Sequence, residues 1–104
     1  MTRQQRLYRR YNRLYFRGKL PNIPVLFRKG LVEKYNAIGI TQYEGKVPKR
    51  ILIENTLRTW RGGFRMTLLH EMVHVSLPYK VDHGPRFEKG MLRLAKMRAF
   101  KGLW

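Results

Sequence analysis

The sequence predicts an α+β fold, on three features: a basic amphipathic helix first, short β-type runs in the middle, and two further helices behind them. Gln4 to Arg17 reads as a helix because Leu7, Tyr11, Leu14 and Tyr15 share one face at helical spacing. Gly18 supplies a stop, and Pro21 and Pro24 forbid continuation. Val25-Leu26-Phe27, Ala37 to Gln42 and Ile51-Leu52-Ile53 then read as strands, separated by stretches such as GKVPKR. A small sheet of three strands or more is expected. From Gly63 to Ser76 the chain is apolar nearly all round, with Phe64, Met66, Leu68, Leu69, Met72, Val73 and Val75, which is the pattern of a buried helix. Pro78 ends it. A last helix opens near Gly84-Pro85, where proline suits the first turn, and carries Phe87, Met91, Leu94 and Ala95 on one face.

Composition narrows the class. A chain of 104 residues is sized for one domain over 1–104, and 43% hydrophobic residues supply one core. There is no cysteine, which excludes a disulfide framework, a catalytic thiol and a cysteine-ligated zinc finger. The opening MTRQQRLYRRYNR has no apolar stretch behind its charges, so it does not read as a signal peptide. No run approaches the ~18 apolar residues of a membrane span. A soluble cytoplasmic protein without membrane contact is therefore expected, taken as a monomer.

Charge points to a partner. Lys and Arg total 23 against 6 Asp and Glu, a formal net charge of +17 with a pI near 11.2. Such self-repulsion favours an anionic partner, nucleic acid first; a generally basic solvated surface is the blander alternative. The cations are patterned. Arg6, Arg10, Arg13 and Arg17 form one stripe on the first helix, and no acid precedes Glu33. Arg86, Lys89, Arg93 and Lys96 form a second stripe on the last helix. These eight are the candidate nucleic-acid contacts.

The apolar third helix contains His70-Glu71-Met72-Val73-His74, an HExxH motif. Histidines four apart stand one above the other on a helix, so both imidazoles can reach one cation. Glu71 falls on an adjoining face, placed for a general base rather than a ligand. A catalytic zinc takes three protein ligands and keeps a fourth position for water. His83 is the only other histidine, nine residues after His74, so one site accounts for all three. Asp82 and Glu88 are the competing third ligands. Tyr79 and Arg86 are candidates to steady an oxyanion. The pattern predicts one catalytic Zn2+ on His70, His74 and His83, with Glu71 as base of a peptidase. A non-enzymatic nucleic-acid-binding module that zinc merely holds together is the alternative.

HEMVH followed by HGPRF (His83 to Phe87) resembles the SprT-like metalloproteases, the group that includes Spartan. LYRRYNRLYFRGKLP is similar to that family's opening helix, and ILIEN ahead of TLLHEMVH keeps its order. The resemblance implies a minimal zincin-like fold, zinc on the same three histidines, and Glu71 as base. It further implies cleavage of proteins bound or crosslinked to DNA, as in DNA repair. Many members carry a cysteine-ligated zinc subdomain that contacts DNA; a chain without cysteine lacks it. The two basic stripes then stand in, with Tyr8, Trp60 or Trp104 available to stack on unpaired bases.

Overall fold

The computed structural model describes residues 1–81 and 83–103. Its α+β architecture comprises helix α1 (Arg3–Tyr15), strand β1 (Val25–Arg28), short helix α2 (Leu31–Tyr35), strands β2 (Gly39–Glu44) and β3 (Val47–Glu54), a 3-10 turn (Asn55–Thr59), and helices α3 (Arg61–Ser76) and α4 (Pro85–Lys96). The strands form a mixed sheet in the order β1-β3-β2. β1 runs parallel to β3, with Val25 opposite Ile51, and β2 runs antiparallel to it, with Ile40 opposite Leu52.

α1 begins where the Thr2 hydroxyl accepts the Gln5 N–H at 3.1 Å. It ends two residues before Arg17, because Arg17 and Gly18 turn left-handed at φ 56° and 70°. Its buried residues are Leu7, Tyr8 and Tyr11, whereas Leu14 stands 49% exposed. The inward face is thus rotated from the predicted one toward Tyr8, and a polar seam explains why. The Gln5 side-chain amide donates to Ile23 O at 2.8 Å and accepts from Val25 N at 2.9 Å. Tyr8 donates its hydroxyl to Pro21 O at 2.6 Å, and Asn12 exchanges two bonds with the Leu20 backbone. Residues 5, 8 and 12 lie on one helix face, so they stitch the returning chain to α1 and deliver it into β1.

The sheet departs from prediction at its ends. β2 starts at Gly39 rather than Ala37, and β3 takes in Val47 to Arg50, which reads as a connection because of Pro48. The register shift between Gln42 and Tyr43 falls opposite Pro48, so the residue without an N–H sits where the ladder is broken. α2 and the 3-10 turn are short elements the periodicity does not announce. α2 is bounded by left-handed Gly30 and Asn36, and its Leu31 N–H is held by the buried Glu54 carboxylate at 3.0 Å.

α3 is the centre of the molecule. Leu68, Leu69, Met72 and Val73 have no solvent exposure, and the sheet, α1, α4, the segments that connect them and the chain after α4 complete one continuous apolar cluster. α4 approaches closely at Gly90, where a Cβ would come within 2.8 Å of Val73 Cγ1. Phe87 and Leu94 face inward as predicted, Met91 is half-buried, and Ala95 is exposed. The chain beyond α4 folds back to bury Ala99, Phe100 and Leu103. No helix among the described residues is long and apolar enough to cross a membrane.

The seam is testable. Gln5→Ala strands the Ile23 carbonyl and the Val25 N–H, which should lower stability by about 2 kcal/mol, some 8–16 °C in melting temperature for a domain of this size. An unchanged thermal midpoint would mean that α1 and β1 are held by apolar contacts alone.

Candidate metal centre

α3 presents His70 and His74 one turn apart on one face; both are half-buried between covered neighbours. The chain leaves α3 at Leu77-Pro78, loops, and returns His83 just ahead of the first turn of α4. His83 Nε2 lies 3.1 Å from His70 Nε2 and 3.0 Å from His74 Nε2. All three ligand-type nitrogens lie within 4.8 Å of one another and could hold a metal ion.

The donor geometry fits a tetrahedral cation. Zn–N bonds of about 2.0–2.1 Å at tetrahedral angles set nitrogens about 3.3 Å apart, within a few tenths of an ångström of the two short spacings. Hydrogen bonding within the trio explains the convergence less well. One Nε2 carries either a hydrogen or an in-plane lone pair, so it serves one facing nitrogen at a time, not two. Phe87 braces the group from below. Its buried ring lies 4.7, 4.5 and 4.8 Å from the rings of His70, His74 and His83. Burial, then the neighbouring His74 and His83, push the His70 pKa down to about 4, so the imidazole is neutral and its lone pair available near neutral pH.

Glu71 is buried beside this cluster. One carboxylate oxygen accepts the Thr41 hydroxyl at 2.9 Å, and the other lies 4.0 Å from His70 Nε2. Burial raises its pKa to about 7, with the Thr41 hydrogen bond opposing the rise. β2 can press this close to α3 because Gly39 has no side chain: a Cβ there would meet Thr67 Cγ2 at 2.5 Å and the Glu71 side chain at 3.4 Å. The cluster opens into a cleft of about 890 Å³ between β2 and α3. Its walls are mostly apolar, with Ile38, Ile40, Met66, Val81 and Met91 around the polar groups.

Other sequence candidates separate. Tyr79 does line the cleft, its ring 5.1 Å from that of Tyr43. Arg86 instead lines a groove between α4 and the end of α3, away from the histidines. Glu88 is exposed and outside the histidine cluster, and Asp82 lies outside the described residues. Arg6, Arg10, Arg13, Arg17, Arg86, Lys89, Arg93 and Lys96 are all exposed. Arg93 is nonetheless committed structurally: it donates to Tyr15 O at 2.6 Å and stands 5.1 Å over the Phe16 ring. Tyr8 has no exposure and its hydroxyl is used, which removes it from base stacking. Trp60 is 62% exposed, and Trp104 lies outside the described residues. Sequence reading missed Thr41 and gave Phe87 no role at the histidines. Phe87 carried a signal, four residues after His83 at the start of a helix.

The assignment of the third donor has a direct check. His83→Ala should weaken zinc binding, measured against a chromophoric chelator, by at least about a hundredfold. Undiminished affinity would transfer the role to Asp82 or Glu88.

Neither the curated proteins nor the solved structures yield a match to the chain. The model of the SprT-like family matches residues 4–102, spanning α1, the sheet, the histidine cluster and α4. Nearly the whole chain is covered, and it belongs to the SprT-like family.

Proposed function

We propose that the protein is a zinc-dependent endopeptidase with a minimal zincin-like fold, acting on proteins associated with or crosslinked to DNA. One observation carries the peptidase reading: three histidine nitrogens converge on one point, with the buried Glu71 carboxylate beside them at the floor of a cleft. Family membership supports the same class. Three donors leave a fourth position open, as a catalytic site requires and a purely structural site does not. His70, His74 and His83 would hold a zinc ion, which would supply Lewis acidity and activate a water near neutral pH.

The chain's own residues do the rest. Glu71, held through one oxygen by Thr41, takes the water's proton on the oxygen that faces His70 and returns it to the leaving amine. Its burial strengthens its hold on that proton between the two transfers. β2 is an edge strand, paired among the described residues only with β3, so its free backbone edge can take a peptide as an added strand along the cleft. The apolar walls keep bulk water from the reacting bond. The net charge of +17 and the exposed arginines of α1 and α4 support a nucleic-acid-bound setting for the protein substrate.

The decisive test is cleavage of a basic DNA-binding protein with and without single-stranded DNA. Glu71→Gln should keep zinc at wild-type affinity and lose about 10²–10⁴ in turnover. Thr41→Val should keep zinc and lose about tenfold to a hundredfold, because the base then swings free. Wild type that holds zinc and cleaves nothing would move the protein to the non-enzymatic module. Loss of zinc in Glu71→Gln would make that carboxylate structural.

A further inference from the structure

The short helix α2, the buried acid Glu54 and the exposed apolar residues at one end of the histidine cleft take no part in the metal centre. They belong together. Val32 of α2, Ile38 just ahead of β2 and Met66 of α3 line that cleft along with His70, Glu71 and His74. Val32 is 45% and Ile38 50% exposed, and Met66 is only partly buried against the core. Single apolar residues at a surface are ordinary, but three that line one concavity present a face to a ligand. Charge is kept away from them. Of the 23 Lys and Arg, only Lys80 lines the cleft, and it stands over the Tyr79 ring, beside Tyr43 near the far end of β2.

Backbone contacts fix this apolar end in place. The Glu54 carboxylate, at the end of β3, accepts the Leu31 N–H at 3.0 Å, which anchors the first turn of α2 and with it Val32. The backbone N–H of the same residue donates to Ile38 O at 2.8 Å. One residue thus clamps the chain on both sides of the apolar face. Gly39 packs so closely on α3 that a Cβ there would meet Thr67 Cγ2 at 2.5 Å. Their chain neighbours, Ile38 and Met66, are thereby brought to the same end of the cleft. A face held in this way keeps its shape without a ligand, so little ordering is left to oppose binding.

Met66, His70 and His74 recur at every fourth residue and so share one face of α3. Met66 stands about 6 Å along the helix axis from His70, at 1.5 Å of rise per residue. A peptide added to β2 as a strand advances about 3.3 Å per residue. The side chain that reaches this end therefore belongs to one of the two residues next to the bond at the metal centre. We infer that Val32, Ile38 and Met66 form a subsite for a large apolar side chain of the substrate, within two residues of the cleaved bond. The inference rests on the endopeptidase reading and names the substrate class its cleft selects. Leucine, methionine and phenylalanine suit the site, and the unbranched, polarisable Met66 adapts to each. A charged side chain entering there would give up water and find no partner among the three.

Cleavage sites on an unfolded casein, mapped by mass spectrometry with the zinc-loaded full chain, test this directly. One position within two residues of the cut should be enriched at least about fivefold in leucine, methionine and phenylalanine. Peptides with leucine, alanine or lysine at that position should then differ, leucine exceeding both others by about tenfold or more in kcat/KM. Ile38→Asp and Val32→Asp, both at exposed positions, should each narrow the leucine-over-alanine ratio to less than about threefold and leave the alanine peptide within about threefold of wild type. Leu92→Asp, on α4 outside the cleft, should leave the ratio as it is. Affinity of the same labelled peptides for zinc-loaded Glu71→Gln, read by anisotropy, should give the same order without turnover. Cut sites without apolar enrichment, or a leucine-over-alanine ratio unmoved by Ile38→Asp, would overturn the subsite and leave the endopeptidase standing. A wild type that cleaves nothing, beside Glu71→Gln that binds the leucine peptide in preference, would sink the endopeptidase and uphold the subsite. No cleavage and no preference in binding would overturn both.

Discussion

Everything in this structure turns on α3 being buried on nearly every side while holding polar groups that must work. Nine of its sixteen residues are buried, Glu71 among them. The apolar ones hold the sheet, α1 and α4 in one cluster, at about 1.5–3 kcal/mol for each large side chain removed from water. The polar ones are confined to where that packing stops. His70 and His74 share a half-open stripe, Arg61 and Arg65 reach solvent on the opposite face, and Glu71 is covered but given a hydrogen-bond donor by Thr41. A helix so constrained cannot shift by a residue without burying an imidazole or exposing Leu69. Its packing thereby holds the donor atoms in register, which is the pre-organisation that metal binding and catalysis both need.

The opposite arrangement holds at the surface. Lys and Arg outnumber Asp and Glu by 23 to 6, and two of the six acids, Glu54 and Glu71, are buried and occupied with internal hydrogen bonds. Little negative charge is left to neutralise the exterior. Folding proceeds against that repulsion because α1 faces the core with Leu7, Tyr8 and Tyr11 and fastens the next segment through Gln5, Tyr8 and Asn12. The polar seam is thus as much a part of the fold as the apolar face.

What could be read in advance was what is local in the chain. HExxH is a five-residue pattern on a helix, so both histidines and Glu71 could be named, and His83 followed because no other histidine exists. The order helix, sheet, helix, helix was legible for the same reason, as was the burial of α3. Thr41 was not, because it reaches Glu71 from a strand thirty residues upstream and only the β2 register brings it there. The inward turn of Tyr8 in place of Leu14 depends on a carbonyl at Pro21, which helical periodicity does not contain. α2 spans five residues, fewer than two helical turns, too short for an apolar repeat to emerge. Arg58, Arg61 and Arg65 look scattered in the chain, and only the packing of α1 beside the entry to α3 gathers them with the first stripe.

The position of His83 has a mechanical consequence. It sits in the connection between α3 and α4, while His70 and His74 belong to the core helix. A cation on the three nitrogens ties that connection back to α3, closing a loop of nine residues from His74. In chain-entropy terms, a cross-link over a loop of that length is worth roughly 3 kcal/mol, the order of a disulfide. A protein without a single cysteine would then carry such a staple at the three histidines. Without such an ion, the start of α4 and the adjoining wall of the cleft would be held less firmly to α3.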